Sequence, residues 1–219
     1  QSLDIDREIG DRRGEAYSLG NLGNAYSALG DYERAIDFQQ QQLDIAREIG
    51  HRIGEANALG NLGLAYDALG DYERAIDFHQ QQLDIAREIG DRLGESASLH
   101  NLGMAFWASD NLSAAAEYLE ASALVQESLH STGLADASRL SLLDSQQNTY
   151  QGWQRTLMDQ GQPETALAIA ERSRAQALAA SMSRALTPED DAAWTPPTSP
   201  NLEQIQAIAI QQQATLVEY

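Results

Sequence analysis

The chain says nearly the same thing twice. Residues 11–50, DRRGEAYSLGNLGNAYSALGDYERAIDFQQQQLDIAREIG, are followed at 51–90 by HRIGEANALGNLGLAYDALGDYERAIDFHQQQLDIAREIG, and 7 of the 40 paired positions differ (11/51, 13/53, 17/57, 18/58, 24/64, 27/67 and 39/79). A fixed period of this size signals stacked supersecondary units, each of which buries its apolar face only against its neighbours. Stacks of that kind present long binding surfaces, so the duplication bears on architecture and function together.

Within each unit, two apolar patterns of helical period are separated by Gly30-Asp31 or Gly70-Asp71. In the first, Leu19, Leu22, Tyr26 and Leu29 fall at i, i+3, i+7 and i+10 and are expected to form one buried stripe. In the second, Tyr32, Ala35, Ile36, Leu43, Ala46 and Ile49 do the same. Gly30 stands where a helix needs a left-handed C-terminal residue, and Asp31 can cap the amides of the next helix. Gly23 and Ala35 leave no bulk where two helices cross. The unit is predicted to be an antiparallel helical hairpin, and the fold an all-α, right-handed solenoid of about four hairpins.

Three tight repeats are expected at 11–50, 51–90 and 91–130. Residues 1–10, QSLDIDREIG, match QQLDIAREIG at 41–50 and 81–90, so a half repeat precedes them and the true N-terminus is expected to lie upstream. The third unit keeps Asn101-Leu102-Gly103 and then drifts, with Ser109-Asp110-Asn111 at its turn and Ala114, Ala115 and Ala116 in the small-residue zone. A degenerate capping hairpin is predicted over 131–186. Its first helix would run from about Ala135 to Asp159, its turn would be Gly161-Gln162-Pro163, and its second helix would reach about Ala185. Residues 187–200 hold four of the five prolines and read as a linker. A short helix is expected over 201–209, and ATLVEY reads as the first strand of a further domain, so that Tyr219 is not expected to be the natural end.

Charge narrows the partners. There are 33 acidic against 14 basic residues, a net −19, and every basic residue is Arg. A surface so acidic excludes phosphate-backbone recognition, which needs basic groups, and disfavours anionic membranes. Basic or amphipathic polypeptides are the natural complement, with self-association through the repeat ends as a second expectation. Without Cys there are no disulfides and no thiol chemistry in this stretch. No run of about 18 apolar residues is present to span a membrane, and a cytoplasmic setting is the expectation.

The pattern LxxLGxAYxxLGDYExAI, with Gly23, Tyr26 and Ala35 in place, resembles the tetratricopeptide repeat. Its 40-residue period is longer than the usual about 34 and is similar to the repeats of kinesin light chain and of the Leu-Gly-Asn repeat proteins, as are GNLGNAY (20–26) and the flanking GEA. The resemblance covers 1–130 tightly and 135–186 loosely. It implies a protein-binding module whose concave wall takes a peptide. A second resemblance rests on ALAIAERSRAQALAA (166–180), LEQIQAIA (202–209) and TLVEY (215–219), which look like the stretch joining such repeats to a CHAT domain, the caspase-like domain of bacterial and notably cyanobacterial proteins. It implies a sensing or docking arm for a cysteine peptidase whose catalytic His and Cys would lie beyond this chain. A free-standing adaptor and a self-assembling array are the alternatives.

The duplication suggests which face works. Positions 17, 24 and 27 change between units and lie about 200° from the Leu19 stripe, on the face that in this repeat class resembles the concave wall. Unit by unit that stripe reads Tyr17, Gly20, Asn24 and Ser27, then Asn57, Gly60, Leu64 and Asp67, then Ala97, His100, Met104 and Trp107. It moves from polar to acidic to apolar, with Met104 and Trp107 as candidate anchors. Asn21, Asn61 and Asn101 recur beside it, and an Asn amide can clamp a peptide backbone. The same Asn residues could instead bond between neighbouring helices, and Met104 and Trp107 could be covered by the fourth hairpin.

No catalytic site, metal or cofactor is expected. The histidines 51, 79, 100 and 130 show no ligand spacing, and His51 and His79 read as surface or packing variants. GNLGNAYSALG lies inside a helical pattern with no preceding strand, so it is not a phosphate loop. Glu33 and Asp37 belong to solvated helix faces.

Overall fold

The computed structural model describes residues 2–130 and 136–186, with side chains described for 2–129 and 142–178. Among these residues there are nine helices and no strand: α1 (Ser2–Ile9), α2 (Arg12–Ala28), α3 (Tyr32–Glu48), α4 (Arg52–Leu69), α5 (Tyr72–Ile89), α6 (Arg92–Ala108), α7 (Leu112–His130), α8 (Asp136–Asp159) and α9 (Pro163–Leu186). The fold is the all-α repeat solenoid that the sequence implies. The chain divides into two compact units, 1–129 and 130–219. The linker, short helix and strand expected beyond 186 lie outside the described residues.

In the first unit, α2 pairs with α3 and α4 with α5, while α3 also packs on α4 and α5 on α6. The first helices of successive hairpins approach one another, α2 to α4 and α4 to α6, with no comparable approach between α3 and α5. The row whose members lie closer together is the inside of a curve, so α2, α4 and α6 form the inner wall.

Local chemistry sets the breaks. Gly30 and Gly70 both sit at φ 76°, the left-handed region that ends a helix cheaply only for Gly. In the third hairpin Asp110 takes that role at φ 66°, which Asp tolerates better than most residues. Asp31 and Asp71 accept from the amides of Arg34 and Arg74, and Asp11 and Asp91 from those of Gly14 and Gly94. His51 replaces Asp11 in the second repeat and makes no such cap.

The core follows the helical stripes except at their ends, and Ile49, expected in the second stripe, is 38% exposed. Leu19, Leu59 and Leu99 are fully buried, but Leu29 is 79% exposed and Leu69 is exposed too. At 100° per residue, position 29 has rotated about 80° from position 19, off the seam and toward water. Tyr26 stacks on Phe38 and Tyr66 on Phe78, with ring centroids 5.3 and 5.4 Å apart. Arg34 and Arg74 lie over the free faces of the same tyrosines. The third hairpin keeps the pair with its members exchanged, Phe106 on Tyr118.

Successive repeats are pinned by an ion triad that sequence reasoning missed. Glu15, Glu55 and Glu95 are buried at the start of α2, α4 and α6. Each accepts from an Arg at the end of the preceding helix: Arg7 at 2.8 Å, Arg47 at 2.9 Å and Arg87 at 3.0 Å. Each also pairs with the Arg three residues before it, Arg12, Arg52 or Arg92. Arg12 and Arg52 extend the link to Glu48 and Glu88 on the following helix. Arg7, with Arg12 behind it, holds the Glu15 carboxyl below the ordinary Glu value.

In the second unit, α8 and α9 form an antiparallel hairpin joined by 160–162, with Gly161 at φ 72° in the turn. Its core holds Tyr150, Trp153, Leu157, Ala166 and Ile169.

Candidate functional site

The inner wall is built from the face of α2, α4 and α6 that points away from their hairpin partners. Taking Leu19 as the buried direction, Tyr17, Asn21, Asn24 and Ala28 lie between about 140° and 200° from it. All four are exposed. Their equivalents are Asn57, Asn61, Leu64 and Ala68 on α4, and Ala97, Asn101, Met104 and Ala108 on α6. Tyr17 is 73% and Leu64 49% exposed, while Asn61, Asn101 and Met104 are half-buried. Exposed Ile53 and Leu93, aligned with Arg13, extend the wall by one turn toward the helix starts.

The expected stripe is thus rotated slightly. Gly20 and Gly60 are buried, not on the wall, and an added Cβ there would run into the side chains of Gln42 and Gln82. In α6 the same position is His100, opposite Ser122, so a large and a small residue have changed places. Burial pushes the His100 pKa below the ordinary imidazole value. Ser27, Asp67 and Trp107 are half-buried, about 60° round from position 24 on the hairpin side.

Asn21, Asn61 and Asn101 form one row across the three helices. Their side chains make no hydrogen bond among the described residues. No bond between neighbouring helices therefore occupies them, and each amide keeps a donor and an acceptor for a ligand.

Two other wall residues are held from behind. Gly23 and Gly63 open a notch in α2 and α4 that the partner helix fills, with Gln39 in the first hairpin and His79 in the second. Gln39 Nε2 donates to Asn24 Oδ1 at 2.9 Å and to the Gly20 carbonyl at 3.3 Å. His79 is fully buried, and its Nε2 lies 2.9 Å from Asp67 Oδ2, where an imidazole N–H donates to a carboxylate. His79 is a packing residue rather than a surface one. Leu119, also fully buried, fills the notch at Gly103 in the third hairpin. Three of the seven differences, 24/64, 27/67 and 39/79, are therefore one coupled change.

A fourth difference is coupled in the same way. Ser18 donates to Asp6 Oδ2 at 2.6 Å, whereas Ala58 and Ala46 stand at the equivalent places in the next repeat. Position 11/51 is the helix cap that Asp11 makes and His51 does not. Arg13 Nη2 lies 3.5 Å from His51 Nε2, so 13/53 adjoins the change at 11/51, and only 17/57 is a free variation of the wall itself.

Among the described residues no cluster of His, Asp or Glu could hold a metal ion, and no helix is long and apolar enough to cross a membrane. The second unit contains a separate cleft of about 450 Å³ between α8 and α9, bordered by Gln147, Tyr150, Gln151, Gln154 and Arg174.

A curved wall of stacked helical hairpins, with glycine notches at fixed places, defines the class of helical-repeat recognition solenoids. The tetratricopeptide repeat profile matches residues 1–48, 14–88 and 54–124, and the chain belongs to that family. Tetratricopeptide repeat protein 28 of mouse and of human is 45% identical over 74 residues, 33% of this chain. The match covers 3% of those proteins' length. Among solved structures, BtubC (BKLC) from P. vanneervenii superposes with a TM-score of 0.67 at 18% identity, over 90% of this chain and 85% of that one. The nearly identical repeats of a putative kinesin light chain from Podosopora anserina give 0.62 at 21% identity, over 83% and 84%. A STAND ATPase with a tetratricopeptide repeat sensor from Pyrococcus horikoshii gives 0.61 at 18% identity, over 83% of this chain and 27% of that one. These likenesses establish the fold, and folds of this family typically serve protein–protein interaction.

Proposed function

We propose that the inner wall of α2, α4 and α6 docks an extended or helical polypeptide of basic or amphipathic character. The observation that carries this reading is the row Asn21, Asn61 and Asn101, unbonded among the described residues and flanked by exposed Tyr17, Ile53, Leu64 and Leu93. Amides at a regular spacing suit a peptide backbone, and the apolar neighbours supply contact area. The net charge of −19 favours a basic partner by steering and by complementarity. Residues proposed to contact it are Tyr17, Asn21, Asn24, Asn57, Asn61, Leu64, Asn101 and Met104. Ser27, Asp67, His100 and Trp107 border it from the hairpin side.

In the same reading the wall belongs to a docking arm that regulates or targets a caspase-like CHAT peptidase downstream. Its support is the sequence likeness of 166–180, 202–209 and 215–219 to the stretch before such domains. An adaptor with no enzyme attached shares the wall and differs only in the chain beyond Tyr219.

The test is capture of basic amphipathic peptides by the 219-residue chain with Asn21, Asn61 and Asn101 all changed to Ala. Loss of capture with unchanged helicity and melting supports the wall. Retained affinity moves the site elsewhere. Sequencing the natural protein past Tyr219 decides between docking arm and adaptor.

A further inference from the structure

Resting on the peptide-docking reading, we infer that the residue each second helix inserts into the glycine notch sets the chemistry its hairpin offers on the wall. These residues are Gln39, His79 and Leu119, in the notches at Gly23, Gly63 and Gly103. None of them faces the wall; each is fully or almost fully buried and acts through the first-helix residues beside its notch.

Chemistry forces the coupling. A primary amide or an imidazole buried in the notch is costly with no partner, about 1–3 kcal/mol for each unmatched polar group. Each here is matched through Nε2 alone, Gln39 Oε1 and His79 Nδ1 being buried with no hydrogen bond among the described residues. Gln39 Nε2 donates to Asn24 as well as to the Gly20 backbone carbonyl, and because it takes the Asn24 side-chain carbonyl oxygen, the Asn24 NH2 is turned outward as a donor. Leu64 cannot serve His79, so the partner moves one turn along to Asp67, and the side chain at 64 is released as a free apolar knob. Leu119 needs no partner, and the two positions beside its notch are Met104 and Trp107. The three hairpins therefore offer an amide donor, an aliphatic side chain beside a carboxylate presented through Oδ2 alone because Asp67 Oδ1 is buried, and an apolar pair. The ligand that fits is a polypeptide presenting, in order, a backbone or side-chain acceptor, a Lys or Arg, and a large apolar residue.

The decisive variant grafts the first hairpin's set into the second: Leu64→Asn, Asp67→Ser and His79→Gln together. Surroundings in α4 and α5 match those in α2 and α3, so the graft restores a combination already packed once in this chain. Wild-type and graft chains of 219 residues are screened against a phage-displayed library of random twelve-residue peptides. The wild type is expected to enrich Lys or Arg at one fixed place, and the graft to lose that preference about tenfold while keeping the apolar position. An unchanged consensus overturns the inference while leaving the docking wall intact.

Side-chain amide NMR of the ligand-free protein tests the coupling without any peptide. Gln39→Leu should shift and broaden the Asn24 NH2 pair, and the graft should create a second such pair at position 64. If Asn24 does not respond to Gln39→Leu, the inference fails whatever the screen shows. If no peptide is enriched by either chain but Asn24 does respond, the docking reading fails and the positioning role stands.

Discussion

The first and second hairpins share 33 of 40 residues and the same backbone plan, yet they differ in what holds their walls. In the first, an amide reaches through the Gly23 notch to Asn24. In the second, an imidazole reaches through the Gly63 notch to Asp67, and Leu64 is left exposed. Wall and interior vary together there, while Tyr17 varies against Asn57 without any interior counterpart, and Arg13 varies against Ile53 beside His51, whose ring it touches at 3.5 Å. The lesson is that a duplicated unit can change its surface in two ways. Positions backed by a notch change as a set, and positions backed by solvent change singly.

The comparison can be broken most severely at the shared core. Leu59→Ala, at a fully buried site, should cost about 2–5 kcal/mol in chemical denaturation. The equivalent Leu19→Ala should cost a similar amount, because the two seams match. A much smaller loss at Leu19 would show that the first hairpin is packed more loosely than its twin. Next in size, Gly63→Ala drives a Cβ into the His79 ring, and Gly23→Ala into the Gln39 amide. The first should be the worse of the two, by about 1–3 kcal/mol in all, since a rigid ring yields less than a Gln tail. Equal losses would mean that the notch is more adaptable than it looks.

A double-mutant cycle sharpens the point further. His79→Gln alone leaves an amide facing Leu64, and adding Leu64→Asn should recover about 0.5–1 kcal/mol relative to the sum of the single changes. Additive effects would dissolve the proposed set. The smallest effect is expected on acidification. Glu15, Asp31 and Asp71 are all held below their ordinary carboxyl values by paired arginines. Their stabilisation is present above the unfolded-state values and drains away as pH falls through the lower folded ones. His100, held below its ordinary value by burial, begins to weaken the third hairpin earlier, as pH drops past the unfolded imidazole value of 6.5. His100→Gln should remove that first shallow limb from a plot of melting temperature against pH and leave the acid limb in place.

Much of this was legible in the sequence because it is periodic. The hairpin boundaries came from Gly30-Asp31 and Gly70-Asp71, and the unit's identity from the spacing of Leu19, Gly23 and Tyr26. The Glu15–Arg7–Arg12 triad was not, since its members belong to different helices and look like ordinary surface charge in a one-dimensional reading. The wall was read nearly in register. Gly20 and Ser27 fall beside it because i+3 and i+10 steps drift about 60° and about 80° from Tyr17, which a count along the chain does not reveal. The link between 24/64, 27/67 and 39/79 is not legible among seven scattered differences and has its cause in the notch.

The sequence by itself determined the element order, the caps, the repeat length and the family. Those depend on neighbours three or four residues apart, within reach of a single helix turn. Tertiary structure decided which face of each first helix is the inside of the curve, what fills each glycine notch, and which surface residues are held from beneath. Those are questions of what lies across a helix–helix seam, where residues 12 to 36 positions apart come into hydrogen-bond contact, and only packing brings such residues together.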